Sequence, residues 1–183
     1  MAETQQRPQP VFDKQDQLQK IMANLLQGGK GRPLHPLLVH YPSALYPTSL
    51  LFDGLSHLAA DGTPFVKGAF ALIVTGLVVS VVAAAAGFAD FLAIEGGGRT
   101  WRVAVLHMTC QLVTAGLFLA NAILRGRDLD VTTAPVGPVI LSVCGVAVLW
   151  LGNLLGAELV YRHGRRVEPP EAAAEGSAES RQP

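Results

Sequence analysis

Six ionisable side chains interrupt otherwise apolar stretches of this 183-residue chain: His40, Asp53, His57, Asp90, His107 and Glu158. Burying such groups among apolar neighbours is costly, which makes each a candidate for function. Two imidazoles facing one another across a helical bundle can hold a haem iron from both sides. A smaller ion, zinc or iron, could be held by the same histidines joined by a carboxylate such as Asp90 or Glu158. A third reading needs no ligand: single histidines near helix ends also serve interhelical hydrogen bonds or reach toward the interface. No CxxCH or HExxH spacing occurs, and Cys110 and Cys144 are isolated inside apolar blocks.

The elements that must position these residues are long apolar blocks. Half of the chain is hydrophobic and only 15% is charged, with a mean hydropathy of +0.34. Blocks of about 18 or more apolar residues read as membrane spans. Four are expected, at about 34–60, 68–94, 102–124 and 136–161, joined by short loops rich in Gly, Pro and Asp. The fold class expected is therefore all-α, a transmembrane up-down-up-down four-helix bundle within 31–167. Residues 11–30 carry Val11, Leu18, Met22 and Leu25 on one face and read as an amphipathic helix lying at the membrane surface. Residues 1–10 and 168–183 are polar and low in complexity, so both read as disordered. The polar opening lacks an apolar core, so no cleavable signal peptide is expected.

Lys and Arg concentrate on the side that would carry both termini and the second loop, among them Arg32, Arg99, Arg102 and Arg162. Only Lys67, Arg125 and Arg127 fall on the other side. The bias predicts cytoplasmic termini. Net charge is zero, so nothing points to nucleic acid.

Depth then sorts the candidates. His40 lies about six residues into the first span and His107 about five into the third, roughly 8–9 Å inside the cytoplasmic edge at about 1.5 Å per residue. Spans one and three are parallel and diagonal in such a bundle, so His40 and His107 are the expected haem-facing pair. Arg32 and Arg102 would meet the propionates, and Ala44, Ala83 and Gly87 would leave room for the macrocycle. His35 falls just outside this layer and reads as interfacial. On the third span His107, Gln111, Thr114, Phe118 and Asn121 follow helical spacing, so this stripe must look inward. Asp53 and His57, one turn apart, are expected to pair toward the outer side. Pro36 suits a first helical turn, whereas Pro42 and Pro47 should bend the first span. Small residues at Gly76, Ser80 and Ala84, and at Gly145, Gly152 and Gly156, would let helices approach closely.

The segments "HPLLVHYPSALYPTSLLFDGLSHLAA", "GFADFLAI", "VLHMTCQLVTAGLFLAN" and "GAELVYRHGRRV" together resemble a bacterial four-span membrane family filed as domain of unknown function 2231. Its opening pattern is HPxxVHFP, with Tyr41 here in place of Phe. The resemblance covers about 31–167, with His35, His40, Asp53, Asp90 and His107 as motif positions. It implies a setting in membrane electron transfer, since similar relatives are joined to Rieske-type or cytochrome-type redox domains. The expectation is a haem b electron-transfer component embedded in the lipid bilayer, working between quinone and a redox partner. The rival expectation is a non-catalytic accessory subunit of a larger membrane complex, its histidines serving helix packing. An enzyme is the less expected outcome of the two-histidine pattern.

Overall fold

Apolar blocks long enough to bury themselves become helices throughout the computed structural model, which describes residues 34–165. The described residues form helices and connecting turns, with no strand among them. They order as α1 (Leu34–Leu38), α2 (His40–Ser56), α3 (Thr63–Phe91), α4 (Arg99–Arg125) and α5 (Val136–Tyr161). Arg32, the amphipathic helix expected over 11–30 and the tails expected at 1–10 and 168–183 lie outside the described residues. Three helices, α3, α4 and α5, are long and apolar enough to cross a membrane.

The remaining helical segment is α1 with α2, interrupted only at Val39. The chain stays helical through the interruption, because Val39 N–H donates to the His35 carbonyl (3.1 Å) and Ser43 N–H to the Val39 carbonyl (3.2 Å). Pro42 has no N–H to offer the Leu38 carbonyl, which loosens the ladder one turn earlier. Pro47 lies inside α2 without ending it. The helix stops at Ser56, short of residue 60, and His57 follows as its C-terminal cap.

Contacts at three levels give the helix directions. At the end nearest the termini, His35 of α1 meets Ala83 of α3, and His107 of α4 meets Gly152 of α5. Midway, Tyr46 of α2 bonds Ser80 of α3 and stacks on Phe118 of α4, with ring centroids 3.9 Å apart and planes 6° from parallel. At the far end, Asp53 of α2 meets Arg125 of α4 and Ser142 of α5. From α2 onward, helices adjacent in sequence therefore run antiparallel, and α2 and α4 run the same way. The middle level is the apolar core, made by Tyr46, Ile73, Phe118 and Leu149.

Two glycines make the Tyr46–Phe118 stack possible. A Cβ on Gly76 would stand 2.6 Å from the Tyr46 ring, and one on Gly145 would stand 2.7 Å from the Phe118 ring. Both aromatics thus lie flat against helix backbone, the close approach that small residues permit. Most large side chains left exposed are aliphatic ones on the outer helix faces, such as Val78, Val81, Leu119 and Leu154. Outward apolar surface around a polar-cored bundle is the pattern a lipid environment selects.

Candidate functional site

α2 buries Pro42, Tyr46, Ser49, Asp53 and Ser56. These recur at intervals of three and four, the inward stripe of a helix. Stepping back seven residues from Pro42 reaches His35, not His40. The structure accordingly turns His35 inward and leaves His40 exposed, its Nδ1 3.3 Å from the Leu37 carbonyl of the preceding α1. The ring that faces His107 belongs to His35, with centroids 6.2 Å apart and planes at 86°. The expected pairing of His40 with His107 is therefore replaced by His35 with His107. Depth counting chose a residue five positions further on, about 7.5 Å along the axis, and could not see angle: His40 lies about 140° around the helix from His35.

Both rings are held the same way. His35 Nδ1 is 2.7 Å from the Ala83 carbonyl, and His107 Nδ1 is 2.8 Å from the Gly152 carbonyl. A carbonyl only accepts, so each Nδ1 carries the proton and each Nε2 keeps a lone pair. Glycines make space for both: a Cβ on Gly87 would stand 2.7 Å from the His35 ring, and one on Gly156 would stand 3.0 Å from that of His107. Ala83 and Gly87 thus leave room for an imidazole, the role their small size suggested for a macrocycle.

Below the histidines, Gln111 Nε2 donates to Asn153 Oδ1 (3.2 Å), and Asn153 Nδ2 donates to Ser43 Oγ (3.2 Å). One turn further on, the Thr114 hydroxyl is buried without a hydrogen-bond partner. The inward stripe of α4 is therefore polar from His107 to Thr114, closed by Phe118, and polar again at Asn121.

That stripe continues one step beyond the expected end of the third span. Arg125, four residues after Asn121, is the last residue of α4 and is fully buried. Its Nη2 donates to Asp53 Oδ2 at 2.6 Å and its Nε to Asn121 Oδ1 at 2.6 Å. Asn121 in turn donates to Ser142 Oγ (2.8 Å) and the Pro138 carbonyl (3.0 Å), while Ser142 Oγ donates to Asp53 Oδ2 (3.3 Å). Asp53 thus pairs with Arg125 rather than with His57, which is exposed beyond the end of α2. Extending the i, i+3, i+4 stripe past residue 124 would have found Arg125, but its charge reads as a loop residue. The helix C-terminus also favours a cation there.

Glu158 is bound by Arg99 (3.3 Å), with Arg162 and His163 each 3.9 Å away. Thr100 Oγ1 and His163 Nδ1 are hydrogen-bonded at 2.9 Å beside them. Asp90 is half-buried in the last turn of α3, and Arg102 is exposed on the first turn of α4. Among the described residues no three His, Cys, Asp or Glu side chains stand together as a metal site. Both cysteines are free.

This arrangement defines an all-helical membrane protein whose polar interior is divided by an aromatic layer. A family model described as "Predicted membrane protein (DUF2231)" matches residues 31–169, so the chain belongs to that family of membrane proteins of unknown function. No curated protein and no solved structure matches the chain.

Proposed function

We propose that the chain is a four-span protein of the bacterial inner membrane, its termini cytoplasmic, in which His35 and His107 hold a b-type haem for electron transfer to a partner complex. The observation that carries this reading is the shared anchoring of the two rings. With both Nδ1–H groups committed to backbone carbonyls, two Nε2 lone pairs remain for one ion.

The donor set fits haem better than a smaller metal. A bis-histidine haem needs two protein ligands, and two imidazoles are what this layer offers. The rings stand 6.2 Å apart with planes at 86°, an ordinary edge-to-face contact, so the anchoring, not the spacing, carries the weight. The unpartnered Thr114 hydroxyl, lower on the same stripe, is a further sign of a layer built around something more than its own side chains. Haem bound here would supply one-electron chemistry at a potential set by its two histidines and the apolar surroundings. Arg99, Arg102 and Arg162, on the same end of the bundle, are the cations nearest in depth for propionates.

The four-span topology draws on the length of the first segment. Leu34–Ser56 would extend about 34 Å at 1.5 Å per residue, enough for a hydrocarbon core of about 30 Å. The excess of Lys and Arg on the terminal side supports the orientation.

Absorption spectra of the protein purified from haem-replete cells, oxidised and then dithionite-reduced, test the reading. A Soret band that shifts on reduction is expected. Colourless protein that stays colourless after incubation with hemin would end the haem reading.

A further inference from the structure

We infer that the chain is a duplicated helical hairpin, α1–α3 and α4–α5, and that the ligand between His35 and His107 is held by two equivalent half-sites, one from each copy, across a pseudo-two-fold axis. The inward residues Pro42, Tyr46, Ser49 and Asp53 of α2 recur at a constant offset of 72 residues as Thr114, Phe118, Asn121 and Arg125, the inward residues of α4. His35 recurs at the same offset as His107. The second helix of each hairpin follows suit. Ala69, Ile73, Gly76 and Ala83, buried on α3, recur at one shared offset as Pro138, Ser142, Gly145 and Gly152, buried on α5. The carbonyl that holds each histidine lies 48 residues beyond it in the first copy and 45 in the second, so the second copy is three residues shorter between its helices.

Contacts repeat along with the residues. In each copy the histidine Nδ1 donates to a carbonyl one turn before the glycine that makes room for its ring, Ala83 before Gly87 and Gly152 before Gly156. In each copy an aromatic ring lies against a second glycine, Tyr46 on Gly76 and Phe118 on Gly145. Between the copies, residues meet their own counterparts: His35 faces His107, Tyr46 stacks on Phe118, and Asp53 pairs with Arg125. Contact between equivalent positions is what a two-fold axis imposes on the residues beside it. Any helical bundle shares the helical period, but not a single offset that carries rings, glycines and carbonyl acceptors together. Because α2 and α4 run the same way, the axis runs along the bundle. Parallel repeats related in this manner place their binding sites at the interface between repeats. A ligand there must present like faces to the two Nε2 lone pairs, as one metal centre does. That half of the inference rests on the haem reading; the duplication does not.

Exchange across the axis in the full-length protein tests the duplication without any haem signal. A long guanidinium and a short carboxylate can trade places only where the two positions stand alike about the axis. Asp53→Arg and Arg125→Asp should each lower the thermal unfolding midpoint by about 10 °C or more, whereas the double variant Asp53→Arg/Arg125→Asp should melt within about 6 °C of wild type. A second exchange, Tyr46→Phe/Ser80→Leu/Phe118→Tyr/Leu149→Ser, moves the buried hydroxyl pair from the first copy to the second and should melt in the same range, since Leu149 is the counterpart of Ser80. Recovery in either exchange upholds the duplication; both melting as low as the single charge variants would overturn it. For the half-sites, haem-loaded His35→Ala and His107→Ala are titrated with free imidazole. It should restore the wild-type bands in both, at concentrations within about threefold of each other. Bands lost in one variant only, or restored in one only, would overturn the equivalence. A colourless wild type would remove the haem while the exchanges still decide the duplication, so the two readings fail separately.

Discussion

The two polar layers of the bundle lie on either side of the Tyr46–Phe118 stack and differ in how their atoms are used. In the far layer, Asp53, Arg125, Asn121 and Ser142 are all buried and cross-linked, so that α2, α4 and α5 are tied at one point. Only Asp53 Oδ1 and Arg125 Nη1 lack a partner there. In the layer nearer the termini, each histidine is fixed at one nitrogen and left with a lone pair at the other. A charge pair sealed from water is most simply read as a clamp, because its partners are already present. A pair of oriented rings with spare lone pairs is an arrangement suited to a ligand. The same helices thus carry a closed polar layer and an available one, and the aromatic stack keeps them apart.

Breaking the clamp should have the largest effect. Arg125→Met leaves the Asp53 carboxylate buried and unpaired, and should lower stability by about 3–5 kcal/mol in detergent unfolding. The double variant Asp53→Leu/Arg125→Met should recover most of that loss, because no lone charge remains. If the double variant is no more stable than the single, the pair is contributing more than charge compensation.

The dividing layer comes next. Gly145→Ala would place a Cβ 2.7 Å from the Phe118 ring and should cost about 1–3 kcal/mol through overpacking, read from the same unfolding curves. Gly87→Ala makes the equivalent intrusion on the His35 ring. It should reduce haem retention after purification with far less effect on the melting temperature. Comparable losses of stability in both would erase the distinction between a structural and a ligand-binding layer.

A smaller effect is expected at Tyr46→Phe, which removes the hydroxyl bonded to Ser80 but keeps the stack. About 1 kcal/mol should be lost, with the absorption spectrum unaltered. The smallest belongs to Asp61, exposed in the loop before α3, whose Oδ1 accepts from Thr63 N–H at 3.0 Å. Hydrogen bonds from Thr63, backbone first, hold its carboxyl below the usual carboxylate range. Its contribution is present above the unfolded carboxylate pKa of about 3.9 and is lost as pH falls through the lower folded value. Asp61→Asn should therefore lower the melting temperature slightly at neutral pH and flatten its decline in acid, where the two proteins converge.

Much of this arrangement was readable as pattern. Apolar blocks announce the helices, and of the stripe that begins at His107, Thr114, Phe118 and Asn121 are buried on α4 as their spacing requires. Depth and angle at the start of the first span were both harder. His35 lies between two prolines at the start of its helix, which made it look peripheral. Only the register of Tyr46, Ser49 and Asp53 shows that it, and not His40, continues the inward face. Arg125 was hidden for a different reason. A guanidinium at the end of an apolar block reads as a boundary, and its burial depends on Asp53, 72 residues earlier, which no local pattern can indicate. The carbonyls of Ala83 and Gly152 carry no side-chain signal at all, so the anchoring of the rings is visible only in three dimensions.

The central claim is that His35 and His107, rather than His40 and His107, form the ligand-bearing pair. Reduced-minus-oxidised absorption spectra of wild type, His35→Ala, His107→Ala and His40→Ala test it most directly. The account predicts that the haem bands are lost or shifted in His35→Ala and His107→Ala and retained unchanged in His40→Ala. Bands that survive His35→Ala but disappear in His40→Ala would contradict it.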